Sequence, residues 1–223
     1  MGTHSDTGTD FVTATRVFYD AIAEDYSAHF RSAGAGGPVE RALMAAYAEF
    51  VRGSGGDGGQ VADLGCGPGR VTAYLASLGV SVFGLDLSES MLAVARRENP
   101  GLRFEQGSML ELDLADGALA GVVAWYSTIH TPVGRLPALF GEFRRVLAPG
   151  GHLLLGFQVG DEPKHHDQPF GRPVSMTFLR RRPDRIAGLL AETGFTLTSQ
   201  TVRAADEQAG ESSPQAFLMA RRP

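Results

Sequence analysis

Cysteine occurs once in the 223 residues, at Cys66, so no internal disulfide and no cysteine metal cluster is possible. Tryptophan also occurs once, at Trp125. No apolar run approaches the roughly 18 residues of a membrane helix. The first ten residues are polar and lack the apolar core of a secretory leader, which makes a cytoplasmic location the expectation. No large positive charge is present either. The formal net charge is −5, which gives no general attraction to nucleic acid or to an anionic membrane. The short basic run Arg180-Arg181-Arg182 reads as a solvated helix start.

What the chain does have is glycine, 29 residues of it, concentrated in loops. The most informative cluster is Val61-Ala62-Asp63-Leu64-Gly65-Cys66-Gly67-Pro68-Gly69-Arg70. An apolar run reads as a buried strand, three glycines follow within five residues, and Val71 to Ala76 continues with helical spacing. Glycine there lets the backbone turn sharply and approach a ligand that a Cβ would repel. Strand, glycine turn and helix N-terminus together form a nucleotide-type site. Val80 to Asp86 is a second strand that ends in an acid, placed to hold a ribose diol. The spacing is G-x-G-x-G, however, and Arg70 stands where a dinucleotide site needs its third glycine. Asp63, inside the first strand, suits a ligand with an ammonium group, or a network that orients one.

On these residues the chain resembles the class I S-adenosylmethionine-dependent methyltransferases, from about Phe18 onward. Their first motif looks like Asp63-Leu64-Gly65-Cys66-Gly67-Pro68-Gly69, and their ribose acid matches Asp86. The resemblance implies S-adenosylmethionine as cofactor, with S-adenosylhomocysteine as product. It also implies a Rossmann-like, doubly wound α/β fold: a mostly parallel seven-stranded sheet with helices on both faces, an antiparallel edge strand, and N-terminal helices.

The periodicities agree. Strands are expected near 60–64, 81–86, 102–106, 119–125 and 151–158, with helices near 69–78, 88–98 and 135–147. Phe11–Phe30 and Val39–Val51 read as helices, and Pro183–Thr193 as another closed by Gly194. Residues 195–202 and 215–221 pair as a closing hairpin. Residues 1–10 are expected to be disordered, the glycine-rich stretch 53–59 a flexible loop, and Gly160–Pro173 a polar loop. The remainder, 11–223, reads as a single domain, with 11–52 a helical cap on a core spanning 60–223.

In such a sheet the crevice lies beyond the carboxyl ends of the strands. The fourth strand ends in Trp125-Tyr126-Ser127-Thr128-Ile129-His130. Trp125 and Tyr126 are candidates for cofactor contact, with core packing the competing reading. His130 and Tyr126 are the catalytic candidates, because an imidazole suits removal of an acceptor's proton at neutral pH. This segment is not the Asn-Pro-Pro-Tyr type of related enzymes, which argues against methylation of adenine N6 or of glutamine. The segment Tyr19-Asp20-x-x-Ala23-x-x-Tyr26 resembles the N-terminal helix that closes the site in small-molecule methyltransferases. It implies that the tyrosines close the site, with Tyr26 at the cofactor and Tyr19 at the acceptor. His29, three residues on from Tyr26 and on roughly the same helical face, and His130 beyond the fourth strand are further acceptor candidates. After the third strand, Ser108 stands where relatives carry an acid. Adenine would rest on Ser108, Met109, Leu87 and Met91. Asp63, Gly65, Cys66, Gly67, Gly69 and Asp86 complete the cofactor set, with Cys66 read as a small structural residue. Lys164-His165-His166-Asp167 has no convincing ligand spacing, so no metal is expected.

The function implied is methyl transfer to an oxygen or nitrogen of a small molecule, a secondary metabolite among the candidates. The expected assembly is a monomer or homodimer, with neither nucleic acid nor membrane as partner. Methylation of RNA or protein, and cofactor binding without catalysis, are the alternatives.

Overall fold

The computed structural model describes residues 10–31, 34, 36–54 and 59–223. The expected disorder of residues 1–9 and the middle of the 53–59 loop lie outside the described residues. Two helices come first, α1 (Asp10–Phe30) and α2 (Pro38–Ser54). The alternating core follows: β1 (Val61–Leu64), α3 (Arg70–Ser77), β2 (Val82–Asp86), α4 (Glu89–Glu98), β3 (Arg103–Gln106), β4 (Leu119–Trp125), α5 (Leu136–Val146) and β5 (Leu147–Gln158). After it come β6 (Lys164–Asp167), β7 (Ser175–Phe178), α6 (Pro183–Glu192), β8 (Thr196–Arg203) and β9 (Gln215–Arg221).

Seven strands form one sheet in the order β3-β2-β1-β4-β5-β9-β8. The pairs from β3 to β5 are parallel, while β9 runs antiparallel to both β5 and β8. The antiparallel strand therefore sits one place in from the edge, with β8 outside it. The order reverses at β1, so a crevice opens beyond the carboxyl ends of β1 and β4.

Alternate strand residues explain the two layers. Ala62, Leu64, Phe83, Val122, Ala124, Leu153 and Leu155 pack with Leu139, Phe140 and Phe143 of α5 and with Ile186 and Leu190 of α6. Val61, Val82, Val123, Leu154 and Met219 pack with Met44, Tyr47, Ala48 and Val51 of α2 and with Leu75 of α3. Each large side chain so buried contributes about 1.5–3 kcal/mol. α6 starts on Pro183, whose missing N–H costs nothing at a first turn, and ends before Gly194 at φ 84°.

The segment expected as a polar loop differs. β6 and β7 form a separate two-stranded antiparallel sheet, with Lys164 opposite Phe178. β6 is Lys-His-His-Asp, so it has no apolar alternation to betray a strand. Its partner supplies the anchor: Val174, Met176 and Phe178 pack on the α1–α4 cluster of Phe18, Ile22, Ala23, Met91 and Val94.

Candidate active site

β1 delivers the chain into a turn in which Gly65, Gly67 and Gly69 all have positive φ, at 74°, 53° and 80°. The three glycines serve different ends. A Cβ on Gly65 would lie 2.3 Å from Cβ of Ser127, and one on Gly69 would lie 2.7 Å from the Phe104 ring. A Cβ on Gly67 would meet nothing within 4 Å, so this glycine alone faces open space. The turn is tied to β2, because Gly65 and Cys66 both donate their N–H to the Leu85 carbonyl (2.7 and 3.1 Å).

Asp86 ends β2 and reaches the same turn. Its Oδ2 accepts from the Gly67 N–H at 2.8 Å and its Oδ1 from the Ser88 N–H at 2.9 Å. Burial pushes the Asp86 carboxyl above the usual range, and those N–H donors oppose the shift. Asp63 is fully buried and accepts a 2.6 Å hydrogen bond from the Thr72 hydroxyl of α3. Burial pushes its carboxyl up to about 7, against the Thr72 hydrogen bond.

α1 closes over this end of the sheet. Asp20 Oδ1 accepts from the Ser88 hydroxyl (2.6 Å) and the Ser90 N–H (3.2 Å), pinning α1 to the start of α4. Tyr19 and Tyr26 meet edge to face at 6.1 Å, and Tyr26 packs on Phe30 at 4.6 Å. Burial raises the pKa of both phenols, and nearby Asp86 adds to it. The Arg70 guanidinium lies over the Phe30 ring (5.2 Å) and donates to the carbonyls of Phe30 and Gly34 (3.2 and 2.8 Å). Its buried Nε has no partner.

His130 ends a 3-10 turn, Thr128–His130, just after β4, and is only 7% exposed. Its Nε2 lies 2.9 Å from the Tyr19 hydroxyl. Its ring packs on Tyr19 (5.4 Å) and Phe178 (4.9 Å). Burial pushes its pKa down to about 4; the Arg181 cation lowers it too, while the Thr177 backbone partly opposes. The imidazole tautomer sets which of the Tyr19 hydroxyl and His130 Nε2 is the donor. The other ring nitrogen, Nδ1, is buried, with the Thr177 backbone as its nearby polar neighbour.

The sequence candidates divide accordingly. Asp63, Gly65, Gly67, Gly69 and Asp86 stand together at the turn, with Tyr26, Tyr19 and His130 beside them. Met109 reaches the turn, since its Cε would lie 3.2 Å from a Cβ on Gly65. Leu87 is half-buried after β2, its carbonyl taken by Gln106 at 3.1 Å. Ser108 uses its hydroxyl to accept from the Leu110 N–H at 3.2 Å.

The remaining candidates lie as follows. Met91 is buried in the Phe18 cluster between α1 and α4. Cys66 points into the cluster of Leu92, Ala95 and Phe104 and serves packing. Trp125 stacks on Phe217 (4.9 Å) on the α2 face of the sheet, because strand alternation turns it there. Tyr126, at φ 55°, meets Trp125 and Phe217 edge to face, in the field of Glu40, Glu211 and Arg203. His29 is exposed near the end of α1, 4.7 Å from Phe30 and 5.5 Å from Phe170. The Arg180-Arg182 run is not uniformly solvated, since Arg181 is buried.

Sequence reading missed Asp20, Arg70, Phe178 and Arg181 as parts of this region. Asp20 stood inside the Tyr19–Tyr26 segment, and Arg70 was noticed only as an absent glycine. Nothing local marks Phe178 or Arg181.

A cavity of about 280 Å³ opens between α1 and α4, lined by residues including Asp20, Glu24, Asp25, Ser90 and Arg172, not by the glycine turn. Among the described residues no group of three or more His, Cys, Asp or Glu is placed to hold a metal ion. No described helix is long and apolar enough to cross a membrane.

Residues 61–151 match a family model described as a methyltransferase domain. A trans-aconitate 2-methyltransferase of Methylobacterium nodulans is 40% identical over 112 residues, which are 48% of this chain and 41% of that protein. A demethylmenaquinone methyltransferase of Chlorobaculum parvum is 28% identical over 61% of this chain and 54% of its own. The chain thus spans about half or less of the length of these curated relatives. Among solved structures, magnesium protoporphyrin IX methyltransferase from Synechocystis, with bound S-adenosylmethionine, superposes with a TM-score of 0.70 at 18% identity, covering 98% of this chain and 100% of that one. The 1,6-didemethyltoxoflavin-N1-methyltransferase of Burkholderia thailandensis gives a TM-score of 0.70 at 17% identity, over 100% of this chain and 93% of that one. These structural likenesses show a shared fold. The sequence match over residues 61–151 is to a methyltransferase domain, and the solved structures share its fold.

Proposed function

We propose that this chain transfers a methyl group from S-adenosylmethionine to a small molecule. The observation that carries the reading is Asp86 at the end of β2, hydrogen-bonded to the backbone of the one glycine in the turn that faces open space. The residues present fit the cofactor. Asp86 is placed for the ribose hydroxyls, and the backbone around Gly67 for the amino-acid end. Asp63 supplies a carboxyl held at the base of the turn, and Arg70 a guanidinium with an unused donor for the cofactor's carboxylate. Tyr26 covers that end, while Leu87, Ser108 and Met109 lie toward the adenine end. When bound, the cofactor supplies a methyl carbon activated by a positive sulfur.

The protein's own part is to align the acceptor and exclude water. Tyr19, His130 and Phe178 form the wall that does so. A neutral His130 with a depressed pKa orients the acceptor by hydrogen bonding and is a poor base. Residues 11–52 act as the cap that contributes Tyr19 and Tyr26, and 60–223 as the core. The acceptors named for the similar proteins, trans-aconitate, magnesium protoporphyrin IX and 1,6-didemethyltoxoflavin, are small molecules, which supports the same class here.

Calorimetric titration with S-adenosylmethionine tests the reading. Wild-type protein is expected to bind saturably, and Asp86→Ala to bind more weakly by about 1.5–3 kcal/mol, the range for hydrogen bonds to a charged group. Equal affinity in a folded Asp86→Ala variant would remove the assignment.

A further inference from the structure

Arg181 is the only described arginine or lysine that is less than a tenth exposed, at 8%. The backbone around it is fixed at the carboxyl end of β5, where the Arg181 N–H donates to Gln158 (2.9 Å) and its carbonyl accepts from Gly160 (3.2 Å). The guanidinium donates from Nη2 to the Thr131 carbonyl, next to His130. Its Nε has no partner, and among the described residues no carboxylate forms an ion pair with it. Two partly exposed arginines differ. Arg145 and Arg203 each hold two carboxylates. A buried cation without an anion is costly, and such groups are normally paired.

Arg181 is not alone in this. Ser127 Oγ, His130 Nδ1 and Gln158 Oε1 are also buried without hydrogen-bond partners and belong to segments at the carboxyl ends of β4 and β5, while the Nε atoms of Arg70, Arg144 and Arg222 share that state elsewhere. Unsatisfied polar groups gathered beyond the strands, where the crevice lies, mark a place for a polar ligand. The Arg181 guanidinium is a cationic donor with an unused N–H, which suits an anion.

The site also lacks an available base. His130 Nε2 is engaged with the Tyr19 hydroxyl, and burial holds the ring well below the range of an effective base at neutral pH. A phenol or an ammonium acceptor would have to lose a proton, whereas a carboxylate is already ionised at neutral pH.

Resting on the methyltransferase reading above, we propose that the acceptor is a small carboxylic acid, held as its carboxylate by Arg181 and methylated on oxygen. A carboxylate oxygen lone pair forms the bond to the methyl carbon. The carbon–sulfur bond breaks, its electron pair stays on sulfur, and no proton moves. The products are a neutral methyl ester and the thioether S-adenosylhomocysteine. Neutralising the carboxylate removes its attraction to Arg181, which favours release of the ester.

The test has two arms. Wild-type protein with methyl-labelled S-adenosylmethionine is offered mono-, di- and tricarboxylic acids, aliphatic and aromatic, beside their primary amides. Acids and not amides are expected to accept label, in a product that mild alkali hydrolyses to labelled methanol. In the presence of S-adenosylhomocysteine, the same acids are expected to raise the melting temperature and the amides not. Arg181→Gln is expected to raise KM for the best acid by ~30-fold or more, the cost of truncating one partner of a buried charge pair. Arg181→Lys is expected to recover part of it, and calorimetric affinity for S-adenosylmethionine to stay unchanged in both. Should Arg181→Gln not fold, the acid-against-amide comparison on wild-type protein still decides. An alkali-stable product, amides used as well as acids, no acid-specific stabilisation, or an unchanged KM in Arg181→Gln would each overturn the inference. Loss of cofactor affinity with KM intact would reassign Arg181 to the cofactor. Failure of the wild type to bind S-adenosylmethionine would overturn the underlying reading and this one with it.

Discussion

The two sides of the crevice are built by different means. On the β1–β2 side, backbone does most of the work. Three left-handed glycines, the Leu85 carbonyl and one carboxylate, Asp86, define the turn within a stretch from Val61 to Asp86. On the β4–β5 side, side chains do it, and they come from far apart. Tyr19 of α1, His130 after β4, Phe178 of β7 and Arg181 before α6 meet at one place. The comparison teaches which constraint each side obeys. A turn that must approach a ligand with its backbone admits few residues, while a side-chain wall can be rebuilt for each acceptor.

The sharpest way to break this picture is at Gly65. Its left-handed φ and the 2.3 Å approach of a Cβ to Ser127 make it the point where the two sides touch. Gly65→Val is expected to cost about 2–5 kcal/mol of stability, adding left-handed strain to overpacking. Urea unfolding of the variant measures it. A wild-type midpoint would show that the turn and the β4 end are not coupled as described.

The same contrast explains what the sequence made legible. The glycine turn and Asp86 were readable because their chemistry is local and constrains residue type. The parallel strands were readable because each is a buried apolar run flanked by helical periods. The wall was not. Tyr19 and His130 are 111 positions apart, and no pattern announces that a phenol will meet an imidazole. Trp125 and Tyr126 stayed open between packing and ligand contact because proximity to a strand end says nothing of the face on which a ring lies. β6 was missed since four polar residues carry no alternation. Arg181 looked solvated because its neighbours in sequence are arginines, whereas burial is decided by the carboxyl end of β5 and by Thr131.

A smaller effect sharpens the account of the wall. The folded state holds His130 at about 4, below the ordinary 6.5, so the fold favours the neutral ring. The corresponding stability is present above the unfolded value and is lost as pH falls through about 4. The His130 imidazole resonances are therefore expected to stay unchanged from pH 8 to about 5.5 and to move only below that, as read by NMR against a His130→Phe control. A titration centred near 6.5 would mean the ring is solvated and free to act as an ordinary base.

Gly67 tests the central claim that the turn is the cofactor's site. It is the one glycine of the three whose Cβ would enter open space, so a side chain there excludes a ligand without striking the protein. Calorimetric titration of a folded Gly67→Val variant with S-adenosylmethionine is the direct measurement. The account predicts no detectable binding, beside saturable binding in the wild type. Wild-type affinity in that variant would contradict it and place the cofactor elsewhere.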